Sequence, residues 1–229
     1  MTIKASNLEE IRLKISQIAS ACHRGSSEIT LLAVSKTQSF AKIQSLYDLG
    51  QRHFGENYLQ DALPKIQESL SNNLDIEWHF IGQLQSNKLK TIAEHFSWVQ
   101  SVASLKHASR LNRYRSELKE DPINICVQAQ FEDRVDRGGI PIKELNTFLT
   151  ELKDLDFLKV RGLMCVLPLN WEHNKIAEGY QSLNRHFLEL KEAYSLDTLS
   201  IGMSNDYALA IQNGSTMVRL GTALFGARH

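Results

Sequence analysis

The sequence predicts an α/β protein built as a single (β/α)8 barrel, one domain over residues 1–229. Three observations lead there. Apolar runs of strand length alternate with stretches of helical periodicity along the chain. The strands number eight, which closes a parallel barrel with none left over. No Pro/Gly/Ser linker, low-complexity segment or internal repeat divides the chain. An open doubly wound sheet is the second architecture compatible with this alternation.

An amphipathic helix at 6–22 precedes the first strand, 30–35, whose Thr-Leu-Leu-Ala-Val-Ser run is apolar enough to be buried on both faces. Helical spacing follows at 40–49. The pairing then repeats, with strands at 52–55, 77–81, 98–102, 123–130, 158–166, 198–202 and 217–220. Helices at 58–69, 87–94, 105–118, 142–152, 176–194 and 206–212 lie between and around them. Pro64, Pro122, Pro141 and Pro168 stand singly, each expected near an element boundary because proline removes a helix hydrogen bond.

Composition excludes several classes of function. Of 229 residues, 42% are hydrophobic and 23% charged, the balance of an ordinary globular protein. With 26 basic against 26 acidic residues the formal net charge is +0, so the chain offers no general attraction to phosphate backbones or anionic lipid, and nucleic acid is not an expected partner. The apolar stretch 163–169 is broken by Pro168 and falls far short of a membrane span of about 20 residues. Lys4, Glu9 and Glu10 interrupt the start of the chain, which lacks the apolar region of a secretory signal. Cys22, Cys126 and Cys165 are odd in number and widely spaced, as expected of reduced thiols in a cytoplasmic protein.

In a parallel barrel the chemistry sits at the C-terminal ends of the strands. The first strand ends Leu31-Leu-Ala-Val-Ser-Lys36-Thr37, and alternation puts Lys36 on the side of Leu32 and Val34. If that side faces inwards, the amine projects into the barrel mouth, where low-dielectric walls favour the neutral form that condenses with a carbonyl. A lysine snorkelling from a strand end has the same pattern. In the last strand, Arg219 is a charge within an apolar run and needs a partner. Gly221 follows it, and Ser200-Ile-Gly-Met-Ser204-Asn205-Asp206 closes the preceding strand and opens a helix that Ser204 or Asn205 is placed to cap. Small residues and free N–H groups at these two strand ends suit a phosphate, although ordinary turns and caps use the same residues.

Phe54-Gly-Glu-Asn57-Tyr58 and Trp78-His79-Phe-Ile-Gly-Gln-Leu-Gln-Ser-Asn-Lys88 place polar clusters after the second and third strands. His79 sits among aromatic residues and is read as a hydrogen-bonded core histidine before a ligand or base. His53 and His79 lack the spacing of HExxH, and no metal is expected. The nucleophile elbow, P-loop and dinucleotide fingerprints do not occur.

Taken together, the strings Leu31-Leu-Ala-Val-Ser-Lys36, Phe54-Gly-Glu-Asn57, Trp78 to Lys88, Arg161-Gly-Leu-Met164, Gly202-Met-Ser204 and Arg219-Leu-Gly-Thr-Ala-Leu-Phe-Gly226 closely resemble the pyridoxal phosphate homeostasis protein family. The resemblance implies a barrel like the N-terminal domain of alanine racemase, the fold-type III arrangement, holding pyridoxal 5'-phosphate (PLP) as an internal aldimine. By matching motif positions it implies Lys36 as the Schiff-base lysine and Arg219 as the partner of the pyridine nitrogen. Ser204, Gly221 and Thr222 then form the phosphate grip, with Asn57 beside the cofactor ring. Its further implication is a non-catalytic carrier in vitamin B6 homeostasis, cytoplasmic and monomeric, that buffers PLP or delivers it to apo PLP-dependent enzymes. One departure is Arg137, where family members usually carry a lysine and where an arginine forms no Schiff base.

An arginine donates a hydrogen bond to a pyridine nitrogen but not readily a proton, which leaves the ring a weaker electron sink. Alanine racemase shares that feature, so a PLP-dependent racemase is the alternative. Against it stands the chain's end at His229, without the racemase's additional β-domain. For a second acid or base the candidates are Tyr58 and His79. A Schiff-base aldolase acting on a sugar phosphate through Lys36 is a third reading.

Overall fold

The computed structural model describes residues 5–131, 138–168 and 170–226. Eight parallel strands close into a ring: β1 (Thr30–Val34), β2 (His53–Glu56), β3 (Glu77–Phe80), β4 (Trp98–Val102), β5 (Ile123–Gln130), β7 (Leu158–Met164), β8 (Thr198–Met203) and β9 (Met217–Leu220). Each pairs with the next in that order, and β9 returns to β1 with Leu32 opposite Arg219. The barrel is therefore closed, not an open sheet. An additional two-residue strand, β6 (Ile140–Pro141), pairs with the end of β5 and lies outside the ring. Two residues are too few to show a period in the sequence.

The helices surround this ring: α1 (Ala5–Ala21), α2 (Phe40–Asp48), α3 (Leu59–Ser71), α4 (Leu89–His95), α5 (Leu105–Leu118), α6 (Leu145–Glu151), α7 (His173–Tyr194), α8 (Tyr207–Gln212) and α9 (Thr222–Phe225). α7 begins earlier than its apolar spacing indicates, because its first turn, His173-Asn-Lys175, is polar and carries no periodic signal. Pro64 corrects the expectation that every proline lies near a boundary: it sits inside α3. The missing bond falls on the exposed face, while Leu59, Ala62, Ile66 and Ser69 bury the opposite one. Burial of a large apolar side chain is worth about 1.5–3 kcal/mol, so the packed face outweighs the proline's cost of about 3 kcal/mol.

Alternation divides the core into two. Leu31, Ala33, Phe54, Trp78, Phe80, Val99 and Ile125 point outwards and pack under the helices with Ile43, Leu46 and Ile66. Leu32, Trp98, Cys126, Met164 and Met217 point inwards and form a separate cluster with Ile81 and Val166. The side of the first strand that carries Leu32 is thus the interior, and residues continuing that side enter the barrel mouth. Among the described residues no helix is long and apolar enough to cross a membrane.

The β7–β8 pairing is tight at Gly162, opposite Thr198, where a Cβ would lie 1.7 Å from the Thr198 carbonyl oxygen. Neither strand can give way without breaking ring pairings. Gly162→Ala should therefore lower stability by about 3 kcal/mol or more, and urea unfolding that shows a loss under about 1 kcal/mol would refute this account of closure.

Candidate functional site

The strands β8, β9, β1 and β2 are consecutive neighbours, and four predicted site segments follow their C-terminal ends. Ser204 comes directly after β8, Gly221 and Thr222 after β9, Lys36 two residues past β1, and Asn57 after β2. Lys36 is half-buried and is followed by Thr37 at φ 65°, a left-handed conformation in a β-branched residue. Ser204 Oγ accepts a hydrogen bond from the Ala223 amide in α9 at 3.4 Å, which joins the β8 and β9 ends. Gly221 lies against the β1 end, where a Cβ would stand 3.4 Å from the Val34 carbonyl oxygen. The sequence expectation for the α8 cap needs correction: Asp206 holds that position, and its Oδ1 accepts from the Met203 amide at 2.6 Å. This carboxylate, one residue past Asn205, is also held by the Tyr180 hydroxyl, which donates to its Oδ2 at 2.8 Å.

Beneath the mouth, Arg219 is 5% exposed. Its guanidinium donates to the Ser200 carbonyl at 2.5 Å, to Ser200 Oγ at 2.8 Å and to the Cys165 carbonyl at 2.8 Å. Three of its five N–H donors thus have acceptors among the described residues, all of them neutral. Burial draws its pKa down, opposed chiefly by Tyr180, Cys165 and Asp206, yet a guanidinium stays protonated.

From Arg219 a polar string descends the barrel axis. Ser200 Oγ donates to Gln100 Oε1 at 2.7 Å, and Gln100 Nε2 contacts His79 Nδ1 at 3.0 Å. His79 Nε2 meets His53 Nδ1 at 3.2 Å. Burial, with His53 beside it, holds the His79 pKa well below the usual histidine range, so its ring is neutral. With Gln100 donating to Nδ1, the His79 proton sits on Nε2 and is offered to His53. Both ring nitrogens of His79 are engaged below the mouth. Tyr58, the other residue considered as a base, directly precedes α3 and is 63% exposed.

A second polar group braces the mouth from outside. Ser35 and Glu56 face away from the axis and are fully buried. Ser35 Oγ donates to Glu56 Oε1 at 2.7 Å, and Lys65 of α3 donates to the same oxygen at 2.7 Å and to the Ser35 carbonyl at 2.9 Å. Burial raises the Glu56 pKa above 4.5 despite the hydrogen bonds from Lys65 and Ser35, which lower it. Glu56 Oε2 and Asn57 Oδ1 are buried without hydrogen-bond partners among the described residues. Neither this brace nor the axial string was anticipated from sequence. Their signal was polar residues inside apolar strands, Gln100 and Ser200, and a lysine on the buried side of a helix, Lys65.

Cys126 and Cys165 are buried thiols whose pKa values burial pushes up to about 12, so neither is a nucleophile. Arg137 lies outside the described residues.

Residues 6–229 match the family model described as the alanine racemase N-terminal domain. The pyridoxal phosphate homeostasis protein of Escherichia coli is 44% identical over 227 residues, 98% of this chain and 96% of that protein. Its counterpart in Pasteurella multocida is 42% identical over 231 residues, covering 100% of this chain and 98% of the relative. Among solved structures, PipY of Synechococcus elongatus without PLP has a TM-score of 0.86 at 36% identity, covering 97% of this chain and 99% of that one. PipY with PLP bound gives 0.80 at 37%, covering 93% and 100%. Alanine racemase from Corynebacterium glutamicum, 16% identical with a TM-score of 0.69, shares the fold over 99% of this chain and 63% of its own.

The brace yields a stability prediction. Lys65→Met leaves the Glu56 carboxylate buried without its countercharge and should cost about 3–5 kcal/mol near neutral pH. A carboxyl whose folded pKa lies above its unfolded value binds more protons when folded, so its contribution improves as pH falls through the folded pKa towards 4.5. The deficit of Lys65→Met should accordingly shrink between neutral pH and about 4.5. Denaturant unfolding at several pH values checks both points, and a pH-independent deficit would contradict them.

Proposed function

The chain belongs to the pyridoxal phosphate homeostasis protein family, and from that premise we propose that it binds PLP at the mouth formed by β8, β9, β1 and β2, for buffering or delivery. The observation that carries this reading is a convergence at four neighbouring strand ends. Lys36 and Asn57 follow two of these strands on the inward side, Arg219 lies buried within a third with two further N–H donors, and Asn57 Oδ1 is buried without a donor among the described residues.

The residues present fit the cofactor. Bound PLP supplies an aldehyde carbon that attaches reversibly to an amine, a pyridine nitrogen that accepts a hydrogen bond, and an anionic phosphate. Lys36 is the amine in this proposal, joined by a Schiff base. Arg219 turns its remaining donors to the pyridine nitrogen and keeps its own proton, because a guanidinium is not readily deprotonated in a protein. Ser204, Gly221 and Thr222 hold the phosphate with a hydroxyl and main-chain amides, joined across β8 and β9 by the Ser204–Ala223 contact. Asn57 offers its buried Oδ1 to a donor on the ring. A holding role suits this set better than turnover. Proton transfer at an α-carbon needs acid and base groups on both faces, and His79 is engaged at both nitrogens beneath Arg219.

Borohydride treatment of loaded protein followed by peptide mapping should place the cofactor mass on the peptide containing Lys36, whereas label confined to another lysine would overturn the assignment. Lys36→Ala should stay folded and lose the absorbance of the covalent link. Unphosphorylated pyridoxal should bind at least about tenfold more weakly, a difference of about 1.4 kcal/mol, and equal affinities would remove Ser204, Gly221 and Thr222 from the phosphate site. For the delivery role, loaded protein mixed with an apo PLP-dependent enzyme and a trap for free cofactor should restore activity beyond the trap control. No recovery beyond that control would leave storage without delivery, and robust turnover of an amino acid by the protein itself would favour the racemase reading.

A further inference from the structure

At the end of the barrel opposite the mouth, His53 opens β2, Glu77 opens β3 and His79 follows on the same inward side. His53 and Glu77 are in-register partners on adjacent strands, so the three converge although the two histidines are 26 residues apart in sequence. One ligand atom from each lies within 4.8 Å of the others. His53 Nδ1 is 3.2 Å from His79 Nε2 and 3.6 Å from Glu77 Oε2. Ligands held tetrahedrally at about 2.0–2.1 Å from a zinc-sized ion are separated by about 3.3 Å, a value these two distances bracket. We propose that His53, Glu77 and His79 form a divalent transition-metal site at the N-terminal floor of the barrel, taking Zn2+ or Co2+ with water as a fourth ligand. The expectation of no metal rested on helical spacing, which cannot reveal a site assembled across two strands.

The donor set and its surroundings support this assignment. Two imidazoles and one carboxylate favour zinc-like ions over magnesium or calcium, which take oxygen ligands. The His79 ring is stacked on Trp98, with centroids 5.0 Å apart and planes 15° from parallel, so its lone-pair direction is held. Trp98 Nε1 donates to Glu77 Oε2 at 3.0 Å and orients the carboxylate. The side chains of His53 and Glu77 are 30% and 46% exposed, which gives an ion and a water a route from solvent. A ligating His79 Nε2 must be bare, so the ring proton moves to Nδ1 and needs an acceptor. Gln100 supplies one when its amide turns by 180° and presents Oε1 in place of Nε2, giving up the hydrogen bond from Ser200 Oγ. His79 then loses no proton, and His53 already presents an unprotonated Nδ1. None of the three ligands is among the residues proposed to hold a ligand at the mouth.

The test is a titration of metal-free full-length protein with Co2+, followed by its visible absorption. Four-coordinate Co2+ bands saturating at one equivalent and displaced by Zn2+ are expected. His53→Gln and Glu77→Gln sit at the partly exposed rim and should fold, as circular dichroism would check, while weakening Co2+ by at least about tenfold. His95→Gln, on the exposed end of α4, should leave the titration unchanged. Absence of saturable absorption, or equal affinity in the His53→Gln and Glu77→Gln variants, would overturn the site.

Discussion

Enclosing a guanidinium inside the barrel with no ion pair among the described residues constrains every polar group near it. Removing such a charge from water costs several kcal/mol unless its donors are satisfied. Arg219 meets most of that demand with two carbonyls and the Ser200 hydroxyl, which take three of its five donors. Because Ser200 Oγ accepts from Arg219, its own proton must go elsewhere, and Gln100 Oε1 is where it goes. In this arrangement Gln100 offers its amide nitrogen to His79, which sets the histidine tautomer and turns its remaining proton towards His53. One charge placed in β9 thus orders donors and acceptors across β8, β4, β3 and β2. Asp206, pinned by the Met203 amide and the Tyr180 hydroxyl, acts on Arg219 from a distance and opposes the effect of burial.

At the mouth, alternation along two strand ends separates bracing from binding. On β1 the outward Ser35 is tied to Glu56 and Lys65, and the next residue, Lys36, belongs to the inward side. On β2 the outward Glu56 is tied to the same partners, and the next residue is Asn57. Lys36 and Asn57 therefore each follow a residue locked into the helix layer. A buried ion pair contributes little net stability, but it fixes where neighbouring atoms lie.

How much of this was legible in the sequence follows from how far each signal extends along the chain. Strands such as Thr30–Val34 and Ile123–Gln130 announce themselves by continuous apolar runs, and the order of elements follows. The strand-end positions of Lys36, Ser204 and Gly221 were legible for the same reason, since a polar or small residue closing an apolar run marks where the strand stops. Features that need two distant segments were not. Glu56 with Lys65, Ser200 with Gln100, and His53 with Glu77 depend on register and on which helix face turns inwards. Pro64 within α3 and Asp206 as cap were misplaced because local preference was outweighed by packing in one case and by the Tyr180 contact in the other.

Thr37 bears on how fast anything can leave the mouth. Its left-handed φ of 65° costs about 1–2 kcal/mol in a residue with a Cβ, and glycine would adopt it freely. The turn keeps this conformation because the Ser35 amide is bound to the Gly55 carbonyl and the Gln38 amide to the Ser35 carbonyl, each at 3.0 Å. A turn held at both ends does not act as a hinge. Movement of the Lys36 amine is left to the bonds of its own four-carbon stem, which rotate on the picosecond-to-nanosecond scale, whereas lids open over microseconds or longer. If an occupant is held at Lys36 as proposed, this turn adds no backbone opening to the bond chemistry of its exchange.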